Sequence, residues 1–124
     1  RIIISMQNYV LGEAVDHSLT SAGDFHVTVT EKPEQATKLS IDLSATALLM
    51  EVTNYTPYRL EERMKIRDEV KKKNPLCKIV LLVDENAEKE VAEQVKQAKK
   101  DGRIDQFIYG STSASYLVAL LETL

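Results

Sequence analysis

The sequence predicts an α/β domain of three layers, in which a five-stranded parallel sheet lies between two layers of helices. Short apolar segments such as Ile2-Ile3-Ile4 alternate along the chain with longer segments whose apolar residues recur at helical spacing. This alternation occurs five times, and parallel strands need crossover connections, which helices supply. The length of 124 residues suits one domain spanning the whole chain, residues 1–124.

The first four elements follow from periodicity and from residues that start or end helices. Arg1 to Ser5 is β-branched and predicts a strand buried on both faces. Val10 to Ala22 carries an apolar helical stripe, and Gly23 suits a left-handed helix cap. Phe25 to Thr30 alternates apolar and polar residues, as a half-buried strand does. Lys32-Pro33 then opens a short helix, because proline is tolerated in a first helical turn.

The next elements surround the most unusual residue of the chain. Thr46 to Val52 predicts a third strand that is apolar except at Glu51, and Thr53 to Pro57 predicts the loop after it. A charged helix with Leu60, Met64, Arg67 and Val70 as candidate core positions should end near Asn74-Pro75, since proline disfavours helix in the residue before it.

The C-terminal part contains the strand with the strongest pattern. Lys78 to Val83 is almost wholly apolar and ends at Asp84. We predict a helix from about Ala87 to Asp101, a fifth strand from Ile104 to Tyr109, and a last helix capped within Gly110 to Ser113. The favoured topology for five such strands is the flavodoxin-like order 2-1-3-4-5, which gathers functional groups at the carboxyl ends of strands one, three and four.

Composition restricts the function. A net charge of −3 gives no general attraction for nucleic acid, so we expect no direct nucleic-acid binding by this segment. Cys77 is the only cysteine and cannot form an internal disulfide, and no apolar stretch approaches the roughly 18 residues that a membrane span needs. We therefore expect a cytoplasmic protein without a membrane partner.

The order of segments resembles a receiver domain of bacterial response regulators. The resemblance covers the whole chain and rests on its length, the segment Ile2 to Asn8, the stretch Glu31 to Ala36, and the placement of Glu51 and of Ile79 to Val83. It implies a role in signal transduction, and the start at Arg1 is consistent with the N-terminal part of a longer response regulator.

The residues that carry phosphorylation chemistry in that family differ here. The resemblance places Met6 and Gln7 where the family has an acidic pair that binds magnesium, and Glu51 where it has the phosphoaccepting aspartate. It places Asp84 at the serine or threonine position, and Tyr109, followed by glycine, at the lysine position. Phosphoryl transfer depends on such cationic helpers and on placement of the nucleophile to within about 1 Å. We therefore expect impaired or absent phosphorylation, no catalytic residue, and at most weak Mg²⁺ binding.

The predicted function is that of an atypical receiver, not an enzyme, which acts through protein partners. An effector domain such as a transcription factor, a separate regulator or a histidine kinase would be such a partner. The longer carboxylate of Glu51 would extend negative charge toward the place of a phosphoryl group and could hold an activated-like state. The last helix supplies a candidate dimer face at Tyr116, Leu117, Leu120 and Leu121, although ordinary core packing is the favoured explanation of these residues.

Three other interpretations remain open, and one of them is conventional phosphotransfer carried out with unusual residues. Glu51 could be a solvated loop carboxylate without a task, and Asp84 and Glu85 could serve only to start a helix. Alternatively, Glu51 and Asp84 could hold a metal or a phosphate in a small flavodoxin-like enzyme or ligand-binding domain. That alternative lacks a recognisable nucleophile, acid-base pair or phosphate-binding glycine loop.

Overall fold

A computed structural model describes residues 1–7, 9–22 and 25–124 of the chain. Within these ranges no helix is both long enough and apolar enough to cross a membrane. The order of alternating strands and helices agrees with the prediction from periodicity. The elements are β1 (Ile2–Ser5), α1 (Tyr9–Ser21), β2 (Val27–Thr30), α2 (Pro33–Asp42), β3 (Ala47–Val52), α3 (Leu60–Lys73), β4 (Lys78–Val83), α4 (Lys89–Lys100), β5 (Gln106–Tyr109) and α5 (Ala114–Glu122).

The five strands form one parallel sheet in the order β2-β1-β3-β4-β5, which confirms the predicted flavodoxin-like topology. β1 lies between β2 and β3, with Ile3 opposite both Thr28 and Leu48. β4 pairs with β3 and β5, so that Glu51 lies opposite Leu82. The carboxyl ends of β1, β3 and β4 therefore meet at one edge of the sheet, as the topology requires.

Side chains on the two faces of the sheet form two separate hydrophobic cores. One core packs the sheet against α2, α3 and α4 and contains Leu48, Leu81 and Val95. The other packs it against α1 and α5 and contains Leu49, Val80 and Leu121. Because neighbouring residues of a strand face opposite cores, the continuously apolar strands predicted from sequence are a direct consequence of a sheet covered on both faces.

Three predicted boundaries were wrong by two residues each. β2 begins at Val27 and β5 at Gln106, because Phe25 and Ile104 are apolar for another reason: they pack against the cores from loops that precede the strands. α4 begins at Lys89 because residues 84–88 form a turn closed by Asp84. The predicted cap at Gly23 lies outside the described residues, whereas Ser113 caps α5 by accepting a hydrogen bond from Tyr116 N at 3.3 Å.

The edge formed by the amino ends of the strands is held by a charged cluster. Asp105 Oδ2 accepts hydrogen bonds from Ile79 N at 2.7 Å and from Lys71 Nζ at 3.3 Å. Burial acts to raise the pKa of Asp105, but these two donors together outweigh it and leave the pKa below its ordinary value. Cys77 lies nearby, fully buried, and burial raises the pKa of its thiol to about 11, which agrees with a structural role rather than a nucleophilic one.

Asp105→Asn should lower the free energy of unfolding at neutral pH by about 1 to 2 kcal/mol, because a charged hydrogen-bond acceptor is lost. A carboxyl group whose pKa is lower in the folded chain stabilises it above the unfolded pKa, and that contribution disappears as the pH falls through the folded pKa. Urea unfolding of the variant and the unmodified protein should therefore converge in acid. Asp101→Asn, at an exposed position of the same edge, is the matched control. A stability difference that persists unchanged into acid would contradict this role.

Candidate functional site

A pocket of about 400 Å³ opens at the edge of the sheet where β3 and β4 end. Its lining is acidic, with Glu51, Asp84, Glu85 and Glu88 and with no lysine or arginine among the described lining residues. We call these four residues the acidic edge. Leu11, Val52, Leu82 and Ala87 supply the apolar part of the lining. A lining with four carboxylates and no lysine or arginine among its described residues repels phosphate, so it disfavours the phosphate-binding alternative.

Glu51 is engaged within the protein and is not a solvated loop residue. It lies inside β3, one position before the end of the strand, and is only half-exposed. Its side-chain Oε1 accepts a hydrogen bond from the backbone N–H of Gln7 at 2.8 Å. The carboxylate of β3 therefore reaches across to the chain that leaves β1, and it joins the two strand ends where the resemblance placed the phosphorylation site.

Arg63 of α3 also binds the ends of β1 and β3. It is fully buried, with 0% of its surface exposed. Nε donates to Glu51 O at 2.8 Å, Nη1 donates to Ser5 Oγ at 2.9 Å and Nη2 donates to Ser5 O at 3.0 Å. One guanidinium thus binds the last residue of β1 and the phosphoacceptor-equivalent residue of β3, which fixes their backbones relative to each other.

Tyr58 connects this network to the end of β2. Its ring lies 5.0 Å from the Arg63 guanidinium carbon, a distance at which a cation and an aromatic face attract each other. Its hydroxyl donates to Glu31 O at 3.1 Å, in the connection that follows β2. The β3–α3 loop is therefore tied to the ends of β1, β2 and β3 through two side chains.

Burial of a charged guanidinium costs free energy, and neighbouring groups offset part of that cost at Arg63. Burial lowers the pKa of Arg63 to about 10, while Tyr58, Glu51 and Glu62 act in the opposite direction. The guanidinium therefore still carries its positive charge at neutral pH. This places a permanent cation beside the backbone of Glu51, at the junction of β1 and β3.

The residues at the positions of the family's acidic pair do not fit a magnesium ion. The Met6 side chain is fully buried in the core shared with α1 and α5, and a thioether is a poor ligand for a hard cation. Gln7 is exposed and uses its backbone N–H to bind Glu51. Among the described residues, no group of three or more His, Cys, Asp or Glu side chains is arranged to hold a metal. Neither Met6 nor Gln7 offers the carboxylate ligand that the family's acidic pair supplies.

Asp84 and Glu85 reach the same pocket in different ways. Asp84 Oδ1 accepts hydrogen bonds from Asn86 N at 3.0 Å and Ala87 N at 3.1 Å, so its carboxylate closes the β4–α4 turn. Glu85 Oε2 is buried and has no hydrogen-bond partner among the described residues. Burial of an unpartnered carboxylate oxygen is costly, so Glu85 is the lining residue that would gain most from an added donor.

Tyr109 does not enter the pocket, although the chain immediately after it does. Tyr109 ends β5 opposite Val83, and its ring packs edge to face on Phe107 at 5.4 Å. Gly110 and Ser111 line the pocket instead, and Gly110 N donates to Val83 O at 2.9 Å. No side chain at this position supplies the cation that a family lysine would bring.

Most residues of the candidate dimer face on α5 are buried or half-buried in the protein core. Leu117 and Leu121 are 5% and 6% exposed, and Leu120 is half-buried against the same core. Tyr116 alone of the four is well exposed, at 60%. A dimer face on α5 therefore stays a prediction that rests on Tyr116.

Arg63 is the functional residue that sequence reasoning missed. The helical spacing predicts core positions at Leu60, Met64, Arg67 and Val70, yet Arg67 is only half-buried and donates to Arg103 O at 2.8 Å. The spacing did contain a signal. Arg63 lies three residues after Leu60 and seven before Val70, which places it on the buried stripe of an α-helix.

Fold and site together define the class of protein. It is a doubly wound α/β domain with the flavodoxin-like strand order and a crevice at the carboxyl ends of its strands. Within this class, comparison with solved structures shows a receiver-like fold, as the resemblance implied. The similarity is in fold alone, because sequence identity is low.

Three solved structures illustrate the kinds of protein that share this fold. An adenylate cyclase from Rhodopirellula baltica matches 99% of this chain and 84% of its own, with a TM-score of 0.80 and 14% identity. A CheY-like response regulator receiver domain protein from Methanospirillum hungatei matches 99% and 90%, with a TM-score of 0.78 and 12% identity. An orphan response regulator of H. pylori matches 99% and 93%, with a TM-score of 0.72 and 21% identity. No family model and no curated protein matches the sequence.

Proposed function

We propose that this chain is an atypical receiver domain that transmits signals by protein–protein contact and does not depend on aspartyl phosphorylation. The observation that carries the proposal is the junction of Glu51, Gln7 and Arg63. The carboxylate at the phosphoacceptor-equivalent position already binds a backbone donor, and a buried guanidinium already supplies the positive charge between β1 and β3.

The chemistry of the surrounding residues supports the same proposal. Met6 replaces an acidic metal ligand with a buried thioether, and the acidic edge presents carboxylates to any incoming phosphoryl group. Phosphoryl transfer is accelerated by cations placed around the transferred group, and no lysine or arginine is found among the described residues that line the pocket. In this proposal Glu51 is a fixed element of the active conformation and not a nucleophile.

The partner in this proposal is a protein in bacterial signal transduction. It is an attached or separate effector, of which a transcription factor is the usual kind, and the domain acts on it in the cytoplasm. Similarity to the orphan response regulator of H. pylori supports this choice at the level of fold. The proposal includes no enzymatic activity.

Incubation with acetyl phosphate and Mg²⁺, followed by intact-protein mass spectrometry, tests the proposal. We expect no phosphorylated species from the unmodified protein, and none from Glu51→Asp, because Met6 and Tyr109 still lack the groups that bind metal and phosphoryl oxygens. A receiver domain with its full set of phosphorylation residues, treated in parallel, shows that the assay works. Phosphorylation of Glu51 in the unmodified protein would overturn the proposal.

A further inference from the structure

The opposite edge of the sheet carries the opposite charge. At the amino ends of the strands, five exposed cations lie at the end of α3, at the start of β4, and at or just after the end of α4. We call this set, together with the leucine at its centre, the basic edge. Its members are Lys72, Lys73, Leu76, Lys78, Lys100 and Arg103.

Internal contacts hold these segments together as one surface. Arg67 Nε donates to Arg103 O at 2.8 Å, which joins α3 to the α4–β5 connection. Lys71 Nζ binds Asp105, and Asp105 binds the backbone of β4 at Ile79. Asp105 is thereby paired within the cluster, and Glu69 and Asp101 are exposed acids close in sequence to these cations. The basic edge thus keeps a large excess of positive charge.

Leu76 adds an exposed apolar side chain to the basic edge. Its exposed fraction, 84%, is the highest among the exposed large apolar residues. Exposed apolar residues are ordinary when isolated, but this one lies between Lys73 and Lys78 in the connection from α3 to β4. The acidic edge lines a pocket of about 400 Å³ to which Leu82 and Ala87 also contribute apolar surface.

We propose that the basic edge of one copy docks on the acidic edge of a second copy, with Leu76 entering the pocket and lysines meeting its carboxylates. Charge complementarity on the two edges favours this occupant over other partners, since both halves of the contact belong to the same chain. After a side-chain rotation, Glu85 Oε2 would receive the donor that it lacks. Because the edges lie at opposite ends of the sheet, the contact is heterologous and extends head to tail.

This inference uses the pocket of the proposed function but does not require the absence of phosphorylation. A failure of docking is seen as a monomer in solution, and a failure of the proposed function is seen as a phosphorylated protein, so the two outcomes are distinct. Docking would make the pocket a protein-binding site whose occupant is a second copy.

Sedimentation velocity over a concentration series, at low and at high salt, tests the docking. We expect association at low salt that weakens by about tenfold or more at high salt, because the contact is made between exposed charges. Leu76→Ser should weaken it without loss of fold, since the residue is exposed. A protein that is monomeric at every concentration in low salt would overturn the proposal.

Charge reversal provides the sharper test. Lys72→Glu/Lys73→Glu removes charge from the basic edge, and Lys65→Glu/Lys96→Glu makes the same change at exposed positions within α3 and α4 as a matched control. Glu85→Lys/Glu88→Lys reverses the acidic edge. Each edge variant should associate less than the control, and an equimolar mixture of the two edge variants should associate again, since each retains the edge that the other lacks. If the mixture stays monomeric while the unmodified protein associates, head-to-tail docking is wrong.

Discussion

Arg63→Met should lower the free energy of unfolding by about 3 kcal/mol, because it removes the buried guanidinium whose hydrogen bonds join β1 to β3. Three acceptors lose their donor: Ser5 Oγ, Ser5 O and Glu51 O. Methionine fills much of the arginine volume, so a cavity contributes little. Removal of a buried charge returns part of the desolvation cost, which is why the expected loss is below the sum of three hydrogen bonds.

Urea unfolding measures this loss, and Arg67→Met is its matched control. Arg67 lies on the same helix one turn later and is half-buried, with one bond to Arg103 O and an ion pair with Asp68. We expect its substitution to cost about 1 kcal/mol or less. Arg63→Lys should lie between the two, since it keeps the charge but not the guanidinium geometry. Equal losses for Arg63→Met and Arg67→Met would contradict the role of Arg63 as the link between β1 and β3.

Leu81→Ala should cost about 2 to 5 kcal/mol, the range for a large-to-small substitution in a rigid core. Leu81 is fully buried in the central part of the sheet, with Met50 on one neighbouring strand and Phe107 on the other. It belongs to the core that packs the sheet against α2, α3 and α4. Its loss leaves a cavity that hydrogen-bonded strands on both sides prevent from collapsing.

Leu76→Ala is the matched control for this prediction. The same atoms are removed from a side chain that is 84% exposed, so we expect a change within about 0.5 kcal/mol. Thermal or urea unfolding of the two variants gives the comparison. A loss below 1 kcal/mol for Leu81→Ala would mean that the core relaxes around the cavity more freely than a sheet covered on both faces allows.

The fold was predictable because its signals are repeated along the chain. Continuous apolar strands such as Lys78–Val83 and apolar stripes on the helices all require a parallel sheet covered on both faces. Strand boundaries were less predictable, since Phe25 and Ile104 are apolar for packing in loops and not for strand pairing. Hydrophobicity reports burial, and burial is shared by strands and by the loops that close a core.

The candidate site was predictable only in part. Sequence order placed Glu51 and Asp84 at neighbouring strand ends, and both line the same pocket. It did not give the bond from Gln7 N to Glu51, because the direction of a carboxylate depends on the loop opposite it. It also did not give Arg63, because arginine is ordinarily exposed and its burial is favourable only where strand-end carbonyls and Tyr58 converge on it.

The central claim is that the junction of Glu51, Gln7 and Arg63 replaces phosphorylation-dependent activation. An amide NMR titration with Mg²⁺, and then with Mg²⁺ and beryllofluoride, tests it most directly, because beryllofluoride imitates an aspartyl phosphate. We predict that the amide signals of Gln7, Glu51, Asp84 and Tyr109 do not shift. Saturable shifts at these residues would show that the pocket still binds metal and phosphoryl groups, and they would contradict the claim.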